Sequence, residues 1–211
     1  MSLVLRHWPG TCSIPDVLER LRGWLGSDGR QIRGDPESTS SSLRLVLSLP
    51  YEQKGPLAER LPGAIPTEEL FCKLISGARE VVKVFSPYVD PTFTALASDT
   101  KVPIRIVTTI REGRIKSNPV LERCATVRPI SVRYLHEKKG GSQMFQLHAK
   151  MILSDRSAAY VGSANFTDTS LRYNLELGLY VEDRAVIADL HRLFDYLFDF
   201  VAVPAQGGNR P

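Results

Sequence analysis

The sequence predicts an α/β fold, a layered mixed sheet flanked by helices with a small, mainly helical N-terminal extension. Apolar runs of strand length, rich in β-branched residues, recur through the C-terminal two-thirds, among them "VVKVF" and "VPIRIVTTI". Helical segments alternate with them, and one strand, helix, strand succession fits within about 30 residues, the order of a βαβ unit with parallel pairing. With 211 residues, 43% of them hydrophobic, the chain is long enough to bury a core of ordinary size.

From the N-terminus, "IPDVLERLRGWLG" places Ile14, Val17, Leu18, Leu21 and Leu25 at helical spacing. Residues 33–42, "RGDPESTSSS", are polar without periodicity and read as a linker. "SLRLVLSL" has the pattern of a strand, and Pro56, Pro62 and Pro66 interrupt the stretch between it and Thr67. Domain limits are therefore expected at 1–65 for the extension, 66–203 for the main domain and 204–211 for a tail. Thr67 opens a helix that stops near Gly77. "VVKVFSPYV" is a buried strand ending at Ser86 and Pro87, and Asp90 with Pro91 at the first helical position starts the next helix. A second strand in "VPIRIVTTI", a helix in "NPVLERCATV", strands in "ISVRYL", "LHAKMILSD", "AAYVGS" and "NLELGLYVE", and a closing helix in "AVIADLHRLFDYLFDF" complete the domain. No internal repeat is evident.

Composition narrows the function. No apolar run approaches the ~20 residues of a membrane-spanning helix, and the N-terminus lacks a signal-peptide core. Cys12, Cys72 and Cys124 form neither a CxxC pair nor an even set, so a reduced, cytoplasmic protein without a disulfide framework or zinc site is expected. The net charge of +4 is uneven: residues 101–150 hold eleven Lys and Arg against three acids, a local +8, which leaves −4 for the rest. A solvated face of mixed sign is one account of such a run; a surface that attracts a polyanion is the other. Phe85, Tyr88, Phe93, Tyr134 and Phe145 are better read as core than as base-stacking platforms.

The chemistry concentrates in "LHAKMILSDRSAAYVGSAN", residues 147–165. In a strand, positions i and i+2 share a face, so His148 and Lys150 point together while Ala149 and Met151 point away. An imidazole can attack phosphorus, and an ammonium beside it neutralises the non-bridging oxygens as the transition state forms. A carboxylate on the other ring nitrogen would fix the tautomer, and Glu176 is the candidate. Ser163 and Asn165, after Gly162, can donate to the same oxygens. For either residue alone, a satisfied core histidine and a snorkelling lysine would be the better account. Six specified positions (His148, Lys150, Asp155, Gly162, Ser163, Asn165), each met by chance ~1 time in 20, recur by accident on the order of once per several hundred thousand chains of this length.

This pattern, HxK(x4)D(x6)GSxN, resembles the signature of the phospholipase D superfamily, over roughly residues 66–200. The resemblance implies a metal-independent phosphodiesterase with no cofactor that works through a covalent phosphohistidine. It implies His148 as nucleophile or acid and Lys150, Ser163 and Asn165 as phosphate ligands, and groups Lys150, Asp155, Asn165 and Glu176 with His148 as catalytic, although Asp155 is more often structural in the family. The asparagine and acid of "NLE", with Glu176, are similar to the orienting position of the family's small bacterial nucleases. That family's site uses two such motifs and this chain has one, since His7, His136 and His191 have no lysine two residues on. A homodimer with a shared site is therefore expected. The basic stretch tilts the substrate to nucleic acid, DNA or RNA. Phospholipase or phosphatidyl-transferase activity on lipid phosphodiesters is the alternative. A weakly catalytic nucleic-acid-binding subunit is a third reading. In layout, a helical piece ahead of a lone motif, the chain resembles the phospholipase D-like component of the DISARM anti-phage system, which would add defence-complex proteins as partners and place no membrane among them.

Overall fold

Alternation of side chains on a strand that is buried on both faces calls for apolar residues on both faces, and "VKVF" and "KMILS" supply them, with Lys83 in the first and Lys150 and Ser154 at the ends of the second as the polar exceptions. The computed structural model describes residues 43–50, 59–98, 100–109, 119–127, 129–139 and 142–204. All belong to the second of two units of the chain, Ser41–Pro211. The expected helix around residues 14–25, the linker, Arg111, Arg114, Lys116, Arg128 and residues 205–211 lie outside the described residues.

The elements run β1 (Leu43–Ser48), β2 (Ile65–Pro66), α1 (Thr67–Ser76), β3 (Val82–Phe85), α2 (Pro91–Leu96), β4 (Ile104–Thr108), α3 (Pro119–Val127), β5 (Ile130–Tyr134), β6 (His136–Lys139), β7 (Ser142–Gln146), β8 (Lys150–Ser154), β9 (Ala158–Gly162), α4 (Asp168–Arg172), β10 (Glu176–Val181), α5 (Arg184–Tyr196), a π-helical turn (Leu197–Val201) and β11 (Val203–Pro204). Nine strands form one mixed sheet in the order β11-β5-β4-β3-β8-β9-β10-β1-β2, and β6 with β7 makes a separate ribbon. Strands β3, β4 and β5 are parallel, as the βαβ reading requires. From β3 through β8, β9 and β10 to β1, every pairing is antiparallel.

Helix α2 starts as its sequence dictates: Asp90 accepts the Thr92 N–H at 2.8 Å and Pro91 takes the first position. The sheet separates two cores. Val82, Val84, Ile104, Ile106, Ile152 and Tyr160 face α1, α2 and α3, among Leu70, Phe71 and Leu74. Phe85, Val107, Met151 and Leu153 face α5, meeting Ile187 and Phe194.

Two features differ from the expectation. Residues 43–48, expected within the N-terminal extension, are a full partner of the sheet, with Leu43 opposite Val181 and Ser48 opposite Glu176. Their partner strand lies far along the chain, so no local pattern could assign them. Val203–Pro204, of which Pro204 falls in the expected tail, pairs with Tyr134 and Arg133.

Candidate active site

His148, Lys150, Ser163 and Asn165 of the 147–165 motif lie at one end of the sheet, where β3 and β9 finish and β8 and β10 begin. Strand β8 starts at Lys150 rather than before His148, so the histidine stands just outside the ladder and is exposed. The lysine is only 8% exposed. Its ammonium donates to the His148 carbonyl at 2.8 Å and lies 3.3 Å from both ring nitrogens. The same-face expectation for the pair therefore holds at the level of the side-chain tips. Burial lowers the Lys150 pKa below the ordinary lysine value, and the nearby Glu176 carboxylate works in the opposite direction.

Glu176 is buried at the start of β10, and its hydrogen bonds go elsewhere than to His148. Its Oε2 accepts the Ser163 hydroxyl proton and its Oε1 accepts the Asn174 side-chain N–H at 3.2 Å. Ser163 is equally committed: its Oγ also accepts the Leu177 N–H at 3.1 Å. The expected carboxylate–imidazole bond and the expected free serine donor are thus both replaced by a Ser163–Glu176–Asn174 cluster. Strand β9 lies between β8 and β10, so Glu176 meets the end of β9 first.

Asn165 is different. Its buried Oδ1 has no hydrogen-bond partner, so its carboxamide is not tied to the protein through that atom. The loop that carries it is stitched to the end of β3: the Phe166 N–H donates to Ser86 Oγ at 3.2 Å, Asp90 N–H to the Phe166 carbonyl at 3.0 Å, and the Asp168 N–H to Asp90 Oδ2 at 2.9 Å. None of these anchors was visible from the motif.

Asp155, grouped with the catalytic residues on sequence grounds, is not at this end. It follows β8 at its far end, about 16 Å from Lys150 at ~3.3 Å per residue. Its carboxylate accepts the backbone N–H groups of Arg79, Glu80 and Val81 at 2.9, 2.8 and 2.9 Å. Burial opposes its ionisation, but the donors from Val81, Arg79 and Glu80 outweigh this and hold the pKa below the usual aspartate value. Asp155 also has a positive φ of 50°. Beside it, His191 donates through Nε2 to the Asp155 carbonyl and accepts through Nδ1 from Lys83 at 2.9 Å, and Lys83 pairs with Asp195 at 2.7 Å. Desolvation, with the Lys83 charge adding to it, lowers the His191 pKa and keeps the ring neutral in this network.

Part of the basic stretch is structural. Arg105 and Arg133 both stack on the Phe198 ring, at 5.0 and 4.7 Å from its centroid, and Arg105 also faces Asp195 at 3.5 Å.

A buried lysine thus lies against an exposed histidine, and the loop that carries Asn165 is tied to the chain just after β3. Residues 71–198 match the family described as cardiolipin synthase, PLD-like domain, and the chain belongs to that family, within the phospholipase D superfamily of phosphodiester-acting enzymes. It is 27% identical over 168 residues to cardiolipin synthase A of Pseudomonas aeruginosa, a match that covers 75% of this chain and 34% of that protein. The chain thus spans about a third of the length of the curated relatives it matches. NucT from Helicobacter pylori superposes with a TM-score of 0.59 at 18% identity, covering 77% of this chain and 99% of that one. Nuc from Salmonella typhimurium, a phospholipase D family member, gives 0.51 at 17% identity over 78% and 98%. Phosphatidylserine synthase from Haemophilus influenzae Rd KW20 gives 0.53 at 11% identity over 77% and 39%. These structures share the fold. No helix among the described residues is long and apolar enough to cross a membrane.

Proposed function

We propose that the protein hydrolyses nucleic-acid phosphodiesters without a metal, at a site that two copies of the chain complete. The observation that carries this reading is the contact of the buried Lys150 ammonium with the exposed His148 ring. In the first step an imidazole nitrogen of His148 attacks phosphorus, forming the P–N bond as the P–O bond to the leaving group breaks. That oxygen takes its proton from the His148 of the second copy. Water then attacks phosphorus, gives its proton to that second histidine, and the P–N bond breaks to regenerate the free ring. Lys150 and Asn165 hold the non-bridging oxygens throughout. Glu176 acts by keeping Lys150 charged and Ser163 in place, and Asp155 by fixing the far end of β8.

The single motif within these 211 residues supports a site that a second copy completes. The charge of residues 101–150 supports a polyanionic substrate. A partnership with defence-complex proteins rests on layout alone.

A lipid phosphodiester is the second reading, and one observation favours it. An apolar cavity of about 510 Å³, walled by Leu47, Leu49, Leu61, Ile65 and Leu171, opens beside Ser48, the register partner of Glu176. Purified protein incubated in EDTA with labelled single-stranded and duplex DNA, RNA, and phosphatidylcholine vesicles separates the two. Cleavage of a nucleic acid is expected, and cleavage of the lipid alone would overturn the first reading. Excess inactive His148→Ala protein, exchanged into wild type, should lower activity per wild-type chain; activity unaffected by the excess would refute the shared site.

A further inference from the structure

We infer that Tyr160 is a positioning residue of the phosphate site, acting through the backbone of Ala164 between Ser163 and Asn165; the inference rests on the reading of that loop as phosphate-binding. Tyr160 has no exposed surface, although a phenol buried without need is a poor core residue. Its ring meets Phe71 edge-on at 4.9 Å, and its oxygen accepts the Ala164 N–H at 3.1 Å.

The ladder explains why that bond matters. Ser163 N–H still donates to the Leu177 carbonyl at 2.9 Å, as a strand residue would. The next amide, on the fully buried Ala164, leaves the sheet and finds the phenol instead. A buried N–H cannot go unpaired without cost, so the phenol fixes where the chain departs from β9. The departure angle in turn places Asn165, whose Oδ1 has no other anchor.

Two glycines make room for this side chain. Gly162 and Gly178 are register partners on β9 and β10. A Cβ on Gly162 would lie 2.3 Å from the Tyr160 oxygen, and one on Gly178 would lie 2.3 Å from ring atom Cε2. The ring thus fills a slot that only a glycine pair can leave open. The glycine of Gly-Ser-x-Asn serves a buried tyrosine as well as the loop after it.

The test compares Tyr160→Phe, which keeps the ring in its slot and removes only the hydroxyl, with Ile104→Val, which loosens the same core from β4. Binding of inorganic phosphate to the full chain is followed by the backbone amide NMR signals of residues 163–165, alongside melting temperature. Tyr160→Phe should weaken phosphate binding about five- to tenfold, the loss of one buried hydrogen bond. Ile104→Val should lower the melting temperature and keep wild-type phosphate affinity. Unchanged affinity in Tyr160→Phe, equal weakening in both variants, or no phosphate binding by the wild type would each overturn the inference. Wild-type protein that binds phosphate with this Tyr160 dependence and cleaves no diester would refute the proposed hydrolysis and uphold the positioning role.

Discussion

Lys150 and Asp155 bracket a single strand, β8, and the two ends are built on opposite principles. At the Asp155 end, three backbone amides converge on one carboxylate, and His191, Lys83 and Asp195 close a second ring of bonds behind it. At the Lys150 end, the ammonium is buried against a solvent-exposed histidine, and the Asn165 carbonyl oxygen has no partner. One end is saturated with hydrogen bonds; at the other a buried acceptor, Asn165 Oδ1, has no partner. Buried polar groups left in that state lower stability, and a carbonyl oxygen is completed only by a donor, so a phosphate oxygen would be met by the Asn165 side-chain N–H instead. The contrast teaches that a sequence motif can be half chemistry and half scaffold.

Substitutions at the two ends sharpen or break that contrast. The largest loss is expected from His148→Ala, which removes the proposed nucleophile. Phosphodiester turnover should vanish with melting temperature unchanged, because the side chain is exposed; retained turnover would falsify the histidine mechanism. Lys150→Ala comes next, with kcat lowered on the order of 10²- to 10³-fold, as for loss of one oriented transition-state charge. A mild effect would move the phosphate elsewhere.

Glu176→Gln should lower the rate about tenfold, since it weakens hydrogen bonds to a charged group. Its pH profile carries a sign. Burial already sets the Lys150 pKa below 10.5 and Glu176 pushes it back up. Activity that needs the ammonium therefore falls on the alkaline side below that value, and in the variant it should fall at still lower pH. Identical alkaline limbs would remove Glu176 from the account of Lys150.

The smallest effect on activity per folded molecule should come from Asp155→Ala, with the loss appearing in stability instead, roughly 2 to 3 kcal/mol for three amides deprived of a charged acceptor. Because the folded pKa of Asp155 lies below its ordinary 3.8, this stabilisation is present above that value and is lost as pH falls through the folded pKa. Denaturant melts of wild type and variant should therefore converge in acid. A variant that is stable but inactive would erase the distinction between the two ends.

Most of the sheet was legible because its strands are continuous apolar runs and its helices carry their own start signals, as Asp90 and Pro91 do. The pairing of His148 with Lys150 was legible for a simpler reason, their separation by one residue. What escaped depends on partners distant in sequence. Strand β1 answers to β10, and the Ser163–Glu176–Asn174 cluster exists because β9 lies between β8 and β10. The β6–β7 ribbon was missed because "HEKKGGSQMFQ" has no sustained apolar alternation. Tyr160 left one faint trace, a large aromatic two positions before a glycine on the same strand face.

The pairing of β1 with β10 has a consequence for how the molecule comes into being. Leu47 cannot find its register partner Leu177 until nearly the whole domain has been synthesised, and contacts so far apart are the slowest to form in any folding reaction. Until then the parallel block of β3, β4 and β5 can assemble from local strand–helix–strand contacts, while β1 has only the short β2 to pair with. Glu176 opens the very strand that β1 must meet, so the acidic side of the site is assembled last. A chain folding in this order acquires the parallel block of β3, β4 and β5 before the Ser163–Glu176–Asn174 cluster.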